Sequence, residues 1–179
     1  MADRLACEIW IGGAISPAMA ETLCAVVRDT GASLEWGGGV FAPRNVEEML
    51  DANDDGHLHL YDDERAWGEY ADLEEFLREH KIPYDRQTAS RYECEAEEAI
   101  YRPGIGLKVN ITTGSGNPVV EITALQPVVK SLRALCTHAK SGKSNKTSVL
   151  RRIERLQKLL LLKLPREMPS LEPFTITDG

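Results

Sequence analysis

Two blocks of this chain, about 50 residues apart, carry apolar residues in the same order, and that spacing limits the folds open to it. In the first block Cys7 to Ile11 alternates like a strand and ends at Gly12-Gly13. Ser16-Pro17 then opens a helix with the stripe Leu23, Val26 and Val27, and Gly31 stops it. Ala32, Leu34 and Trp36 alternate as a second strand before Gly37-Gly38-Gly39. In the second block Leu58 and Leu60 stand for Ile9 and Ile11. Leu73, Phe76 and Leu77 stand for the helix stripe, and Ile82 and Tyr84 for Ala32 and Leu34. Two such strand-helix-strand units predict an α+β fold with a mixed or antiparallel sheet of ferredoxin-like plan.

Beyond the second block, Tyr92, Cys94 and Ala96 alternate with charged neighbours, and a new strand starts near Ala99 or Ile100. Leu107, Val109 and Ile111 mark another strand, Thr113 to Pro118 a turn, and Val119 to Ile122 its hairpin partner. A helix is expected over Leu125–Cys136. A polar linker, Lys140 to Asn145, leads to a last helix over Ser148–Leu164, which Pro165 stops. This divides the chain into an α+β domain, 1–139, and a basic helix with a proline-containing, extended tail, 140–179.

Charge is distributed unevenly. Residues 1–128 hold 24 acids and 10 Lys/Arg, a balance of −14, whereas 129–166 hold 11 Lys/Arg and one acid. Such a body repels nucleic acid and favours basic partners, while the C-terminal helix can do the reverse. The start of the chain has no apolar h-region, and no apolar run reaches about 18 residues, so a cytoplasmic protein is expected. Cys7, Cys24, Cys94 and Cys136 are too far apart for zinc or dithiol motifs and are expected to be reduced.

Three groups of residues are candidate sites. Asp51, Asn53, Asp55, Gly56, Leu58 and Asp62 follow the D-x-N-x-D-G-x-L-x-x-x-D pattern, which resembles an EF-hand or dockerin-type calcium loop. The resemblance implies side-chain ligation of Ca²⁺ by Asp51, Asn53, Asp55 and Asp62, and carbonyl ligation by His57. The competing reading is an Asp-rich turn followed by a strand that buries Leu58 and Leu60. His57 and His59 share one face of that strand, the arrangement of a two-histidine metal pair.

The second group is acidic: Asp62, Asp63, Glu64, Glu69, Asp72 and Glu75, with Glu93 and Glu95, in a zone that also holds Glu74, Glu79, Glu97 and Glu98. Solvated element exteriors account for many such residues. A spaced acidic ridge can also imitate a phosphate backbone and occupy a basic groove on a nucleic-acid-handling partner.

The third group is basic: Lys143, Lys146, Arg151, Arg152, Arg155 and Lys158 on the last helix, whose apolar seam is Val149, Ile153, Leu156 and Leu160. That seam suits a partner helix, a homodimer or the helix's own domain. The basic face suits nucleic acid.

Ser141-Gly142-Lys143-Ser144 has the end of a P-loop without its first glycine. Gly12-Gly13 before a helix is a short anion-cradle candidate.

Trp67-Gly68-Glu69-Tyr70, Ile82-Pro83-Tyr84-Asp85-Arg86 and Tyr101-Arg102-Pro103-Gly104 resemble segments of small bacterial and mobile-element proteins without an assigned activity. The resemblance implies an accessory or regulatory role and no catalytic residue. The leading expectation is therefore a non-catalytic binding protein acting through its acidic surface. The alternatives are nucleic-acid binding by the last helix, and a metal site or carboxylate enzyme within 51–98.

Overall fold

The computed structural model describes residues 3–91, 93–140, 145–162, 164 and 168–177. The chain falls into two compact units, Met1–Asn117 with Met168–Gly179, and Pro118–Glu167. The charge pattern places a boundary at 139/140. The units divide instead after Asn117, because residues 122–140 pack with 146–161 and the tail hydrogen-bonds back to the first unit.

The first unit holds a six-stranded sheet in the order β3-β4-β1-β5-β6-β7. Its strands are β1 (Arg4–Ile11), β3 (Asn53–Asp54), β4 (His57–Ala66), β5 (Tyr84–Thr88), β6 (Ala96–Arg102) and β7 (Gly106–Thr112). All neighbours in it are antiparallel. A short pair, β2 (Ala14–Ile15) with β8 (Thr175–Ile176), is parallel. The fold is thus α+β with a mostly antiparallel sheet.

The repeated pattern has a direct structural consequence: Ile9 pairs with Leu60 and Ile11 with Leu58 across β1 and β4, all four fully buried. Helix α1 (Pro17–Thr30) begins where Ser16 accepts the Met19 amide and ends at Gly31, φ 71°. It buries Ala20, Leu23, Cys24 and Val27, and α3 (Ala71–Glu79) buries Leu73 and Leu77. These side chains share one core with Met49 of α2 (Val46–Asp51), Tyr70, Tyr84 and Phe174. Each Leu or Ile buried there contributes roughly 1.5–3 kcal/mol.

The structure departs from the sequence reading in three places. The stretch Ala32–Trp36 forms a single bridge, Ser33 to Tyr61, instead of a strand, and Leu34 and Trp36 are exposed. The chain reverses there through the Gly38 amide bound to the Glu35 carbonyl. Residues 119–121 form no strand; after Pro118, which has no amide hydrogen to give a ladder, the chain enters α4 at Ile122. Arg91 and Cys94 form a local bridge, and β6 begins only at Ala96.

The tail is held by backbone hydrogen bonds. Phe174 N donates to Gly56 O, Gly13 N to Glu172 O, Thr175 N to Gly13 O and Thr177 N to Ile15 O, at 2.7–3.0 Å. The Gly12 amide donates to the Pro83 carbonyl at 3.1 Å. Both glycine amides are therefore engaged by the chain itself, which removes the anion-cradle reading. A Cβ on Gly12 would drive into the Glu172 carbonyl and the Leu171 side chain. Gly12→Ala should cost about 1–3 kcal/mol, as overpacking does, and should speed amide exchange at Thr175 and Thr177. Unchanged exchange at both would show that the tail is held elsewhere.

In the second unit α4 (Ile122–Lys140) and α5 (Lys146–Leu161) pack against each other. Val128 and Leu135 of α4 are buried. Asn145 caps α5 by accepting the Thr147 amide at 3.0 Å. Of the seam, Val149, Leu156 and Leu160 are half-buried while Ile153 is 42% exposed, so the face offered to a second copy is partly covered. Among the described residues no helix is long and apolar enough to cross a membrane.

Candidate functional site

The acidic residues of the sequence reading separate into three places. Strand β4 is apolar inward at Leu58 and Leu60, then runs on through Asp62, Asp63 and Glu64. Asp62 is tied to Arg65 at 3.2 Å and accepts the Glu64 amide, and Asp63 accepts the Gly37 amide at 2.8 Å. These two carboxylates fix local chain turns. Glu64 is exposed beside them, and Asp72 and Glu75 lie exposed on α3.

Glu69, Glu93 and Glu95 instead come together. With Glu97, Trp67, Leu5, Thr88 and Ile111 they line a depression of about 580 Å³. Its rim is built at the turn from β4 to α3, where Trp67 and Gly68 both have positive φ, 57° and 66°. A bulky side chain in the left-handed region is uncommon, and such a conformation costs roughly 1–3 kcal/mol. The turn is held from below: the Gly68 carbonyl accepts Arg86 Nη1 and Thr88 Oγ1, each at 2.8 Å. From the side, Trp67 N donates to Asp3 O at 2.8 Å. This leaves the Trp67 ring 56% exposed beside the carboxylates. Glu97 is half-buried and paired with Arg86 at 2.6 Å, while Glu69, Glu93 and Glu95 are exposed.

Beneath the depression is a buried charge network that the sequence reading placed outside. Glu74 is 5% exposed and Arg86 2%. Arg86 Nε lies 3.0 Å from Glu74 Oε1, an ion-pair contact without good hydrogen-bond alignment. Glu74 also accepts the Tyr70 amide at 3.1 Å and the Tyr84 hydroxyl at 2.9 Å, and Arg78 donates to the Tyr84 oxygen. Burial works against the Arg86 charge, yet Glu74 and Glu97 outweigh it and hold its pKa above the usual value.

Among the described residues, the buried thiol and phenols near this network are shifted away from nucleophilic forms. Burial pushes the Cys7 thiol up to about 12, against the lowering effect of Arg86, and raises the Tyr70 and Tyr84 hydroxyls as well. Cys7 keeps its proton in the folded chain over a range where the unfolded chain has lost it. Stability therefore falls as pH rises from the ordinary thiol value, 9.0, to about 12. The loss through Cys7 is at most about 1.4 kcal/mol per pH unit. Urea midpoints recorded across that range should slope less steeply in Cys7→Ala. An identical slope would place the alkaline sensitivity in the tyrosines alone.

The residues of the calcium-like pattern form a hairpin. Asp55 and Gly56, at φ 47° and 80°, make the tight turn between β3 and β4, and Asn53 and Asp54 pair with Leu58 and His57. Asp-Gly suits such a turn because both central residues need positive φ. Asp51 is exposed at the end of α2, and Asp62 lies opposite Cys7. His57 Nε2 lies 3.4 Å from the Leu171 carbonyl and His59 Nε2 3.0 Å from Glu8, so the two rings have separate partners. Among the described residues no group of three or more His, Cys, Asp or Glu is placed to hold a metal ion.

On α5, Arg151, Arg152 and Arg155 line a shallow depression of about 320 Å³ with Asn145, Thr147 and Ser148, and Lys158 is exposed. Lys143 and the P-loop-like stretch lie outside the described residues, and of Lys146 only the backbone is described. Trp67 and Glu97 were not singled out from sequence as site residues. The signal was present in the alternation of Glu93, Glu95 and Glu97, and in a Trp-Gly pair directly after a charged strand. No family model, curated protein or solved structure matches the chain.

Proposed function

We propose that the protein is a non-catalytic binding protein that presents the depression around Trp67 to a basic macromolecule, as an inhibitor or regulator of a nucleic-acid-handling partner. The observation that carries this reading is the convergence of Glu69, Glu93 and Glu95 on one hollow beside an exposed tryptophan. Carboxylates attract a cationic side chain and an indole face adds cation–π attraction, strongest once water is excluded. The raised thiol and phenol pKa values favour binding over nucleophilic chemistry. Titration calorimetry with a deca-lysine peptide tests the reading. Binding should be clear at 0.05 M salt and strongly weakened at 1 M, where the screening length falls to about 3 Å. Salt-independent binding, or none, would count against it.

The same reading favours a ferredoxin-like plan for the first unit. β1 lies between β4 and β5 and is antiparallel to both, and the Ser33–Tyr61 bridge stands where that plan has its second strand. β6 and β7 then extend one edge.

A second reading rests on the arginine-lined hollow of α5: this helix binds nucleic-acid phosphates. The Arg151→Gln, Arg152→Gln, Arg155→Gln variant should then weaken filter binding of a single-stranded oligonucleotide and lower its salt slope by roughly 2–3. An unchanged slope excludes α5 as the contact.

A further inference from the structure

We propose that a groove on the helix-free face of the sheet binds a guanidinium group. This face is the reverse of the one packed by α1 and α3, and alternation places Glu8 and Trp10 of β1, His59 and Tyr61 of β4, and Gln87 of β5 on it. The groove has a volume of about 420 Å³, in the usual range for ligand sites, and the small residues Ala6, Ala89 and Ser90 keep it open. Trp36, 47% exposed, forms one wall, and Thr113, Gly114 and Gly116 line another part.

Two acceptors stand side by side within it. Glu8 and Gln87 are direct cross-strand partners, and their side chains rise from the same face about 5 Å apart at Cβ. The Glu8 carboxylate is oriented from behind. His59 Nε2 lies 3.0 Å from Glu8 Oε2, and because a carboxylate only accepts, this nitrogen carries the proton. The Tyr61 hydroxyl lies 2.8 Å from Nδ1 and holds the ring from the other side. The imidazole is fixed further by stacking on Trp10, centroids 4.2 Å apart. His59 and Tyr61 are thus positioning residues for Glu8, and Tyr61 also meets Trp36 edge-on at 4.9 Å.

The ligand class follows from these groups. Among the described residues that line the groove Glu8 is the sole charged one, so the site is formally anionic and sits in an acidic body. A phosphate or carboxylate ligand meets no cation there. A guanidinium is planar, offers a fork of N–H donors to two adjacent planar acceptors, and stacks on an indole; an ammonium does neither. The group can belong to a free guanidino compound or to an arginine of a polypeptide. The groove shares Thr88 and Ala96 with the Trp67 depression but none of its carboxylates, so either reading can fail alone.

The test follows the Trp36 indole N–H resonance of ¹⁵N-labelled full-length protein, assigned by its loss in Trp36→Leu. The probes are N-acetyl-arginine methylamide, its lysine counterpart and a short arginine-containing peptide. The arginine probe should shift this resonance saturably, at least tenfold more tightly than the lysine probe, and Glu8→Gln and Gln87→Ala should each weaken binding at least fivefold. The Glu69→Gln, Glu93→Gln, Glu95→Gln variant should leave the affinity unchanged. A peptide that binds tenfold more tightly than the free probe identifies a polypeptide source; equal affinity identifies a small guanidino compound. Equal response to lysine, a shift confined to the Trp67 indole, or no saturable shift overturns the proposal. Gln87→Ala keeps the Trp36 reporter and removes no charge, so its effect can be read even if Glu8→Gln unfolds.

Discussion

Glu74→Ala is expected to lower the free energy of unfolding by about 3–5 kcal/mol, the usual cost of removing one member of a buried ion pair. The reason is what it leaves behind. Arg86, 2% exposed, would keep Glu97 as its only carboxylate, while the Tyr70 amide and Tyr84 hydroxyl would lose their acceptor. Glu74→Gln should cost less, because its amide oxygen still accepts. The double variant Glu74→Leu, Arg86→Met should recover much of the loss, since no buried charge then remains unpaired. Urea unfolding measures all three. A cost below about 1 kcal/mol for Glu74→Ala, the value of an exposed pair, would mean that water reaches this network. The network also bears on binding, because Arg86 holds the Gly68 carbonyl behind Trp67.

Glu74 also shows what the sequence can and cannot reveal. Apolar periodicity located α1, α3, β1 and β4, because Leu23, Val27, Leu73 and Leu77 bury at helical spacing while Ile9, Ile11, Leu58 and Leu60 bury at strand spacing. A charged residue at such a position reads as solvent-facing. Glu74 next to Leu73, and Arg86 between Tyr84 and Thr88, face inward only because each neutralises the other across 12 residues of chain. Leu34 and Trp36 mislead in the opposite direction, since they alternate like a strand but the glycine turn leaves them exposed. Asp51 to Asp62 has calcium-loop spacing, and the backbone preference of Asp55-Gly56 for a hairpin turn decided its form. The convergence of Glu69 with Glu93 and Glu95 depends on how β5 and β6 pair, which no local pattern encodes.

Neutralising Glu69, Glu93 and Glu95 together as glutamines should weaken binding of a basic partner roughly ten- to a hundredfold. Exposed charge pairs contribute about 0.2–1 kcal/mol each, and three acting on one cationic segment approach the upper part of that range. About 1.4 kcal/mol corresponds to tenfold. Trp67→Ala should add a further loss without changing the salt dependence, because an indole contributes contact area and cation–π attraction but no net charge. Stability should change little, since all three glutamates are exposed and exposed charges contribute little.

Total charge alone would also attract a cationic peptide, so the deciding comparison removes equal charge from two places. Deca-lysine affinity is measured by calorimetry at low salt for the Glu69→Gln, Glu93→Gln, Glu95→Gln protein and for an Asp72→Asn, Glu75→Gln, Glu79→Gln protein, which is altered at exposed sites on α3. Affinity should fall about tenfold or more in the first and under threefold in the second. Equal losses in the two would show that the peptide responds to overall charge and that the hollow beside Trp67 is not the binding site.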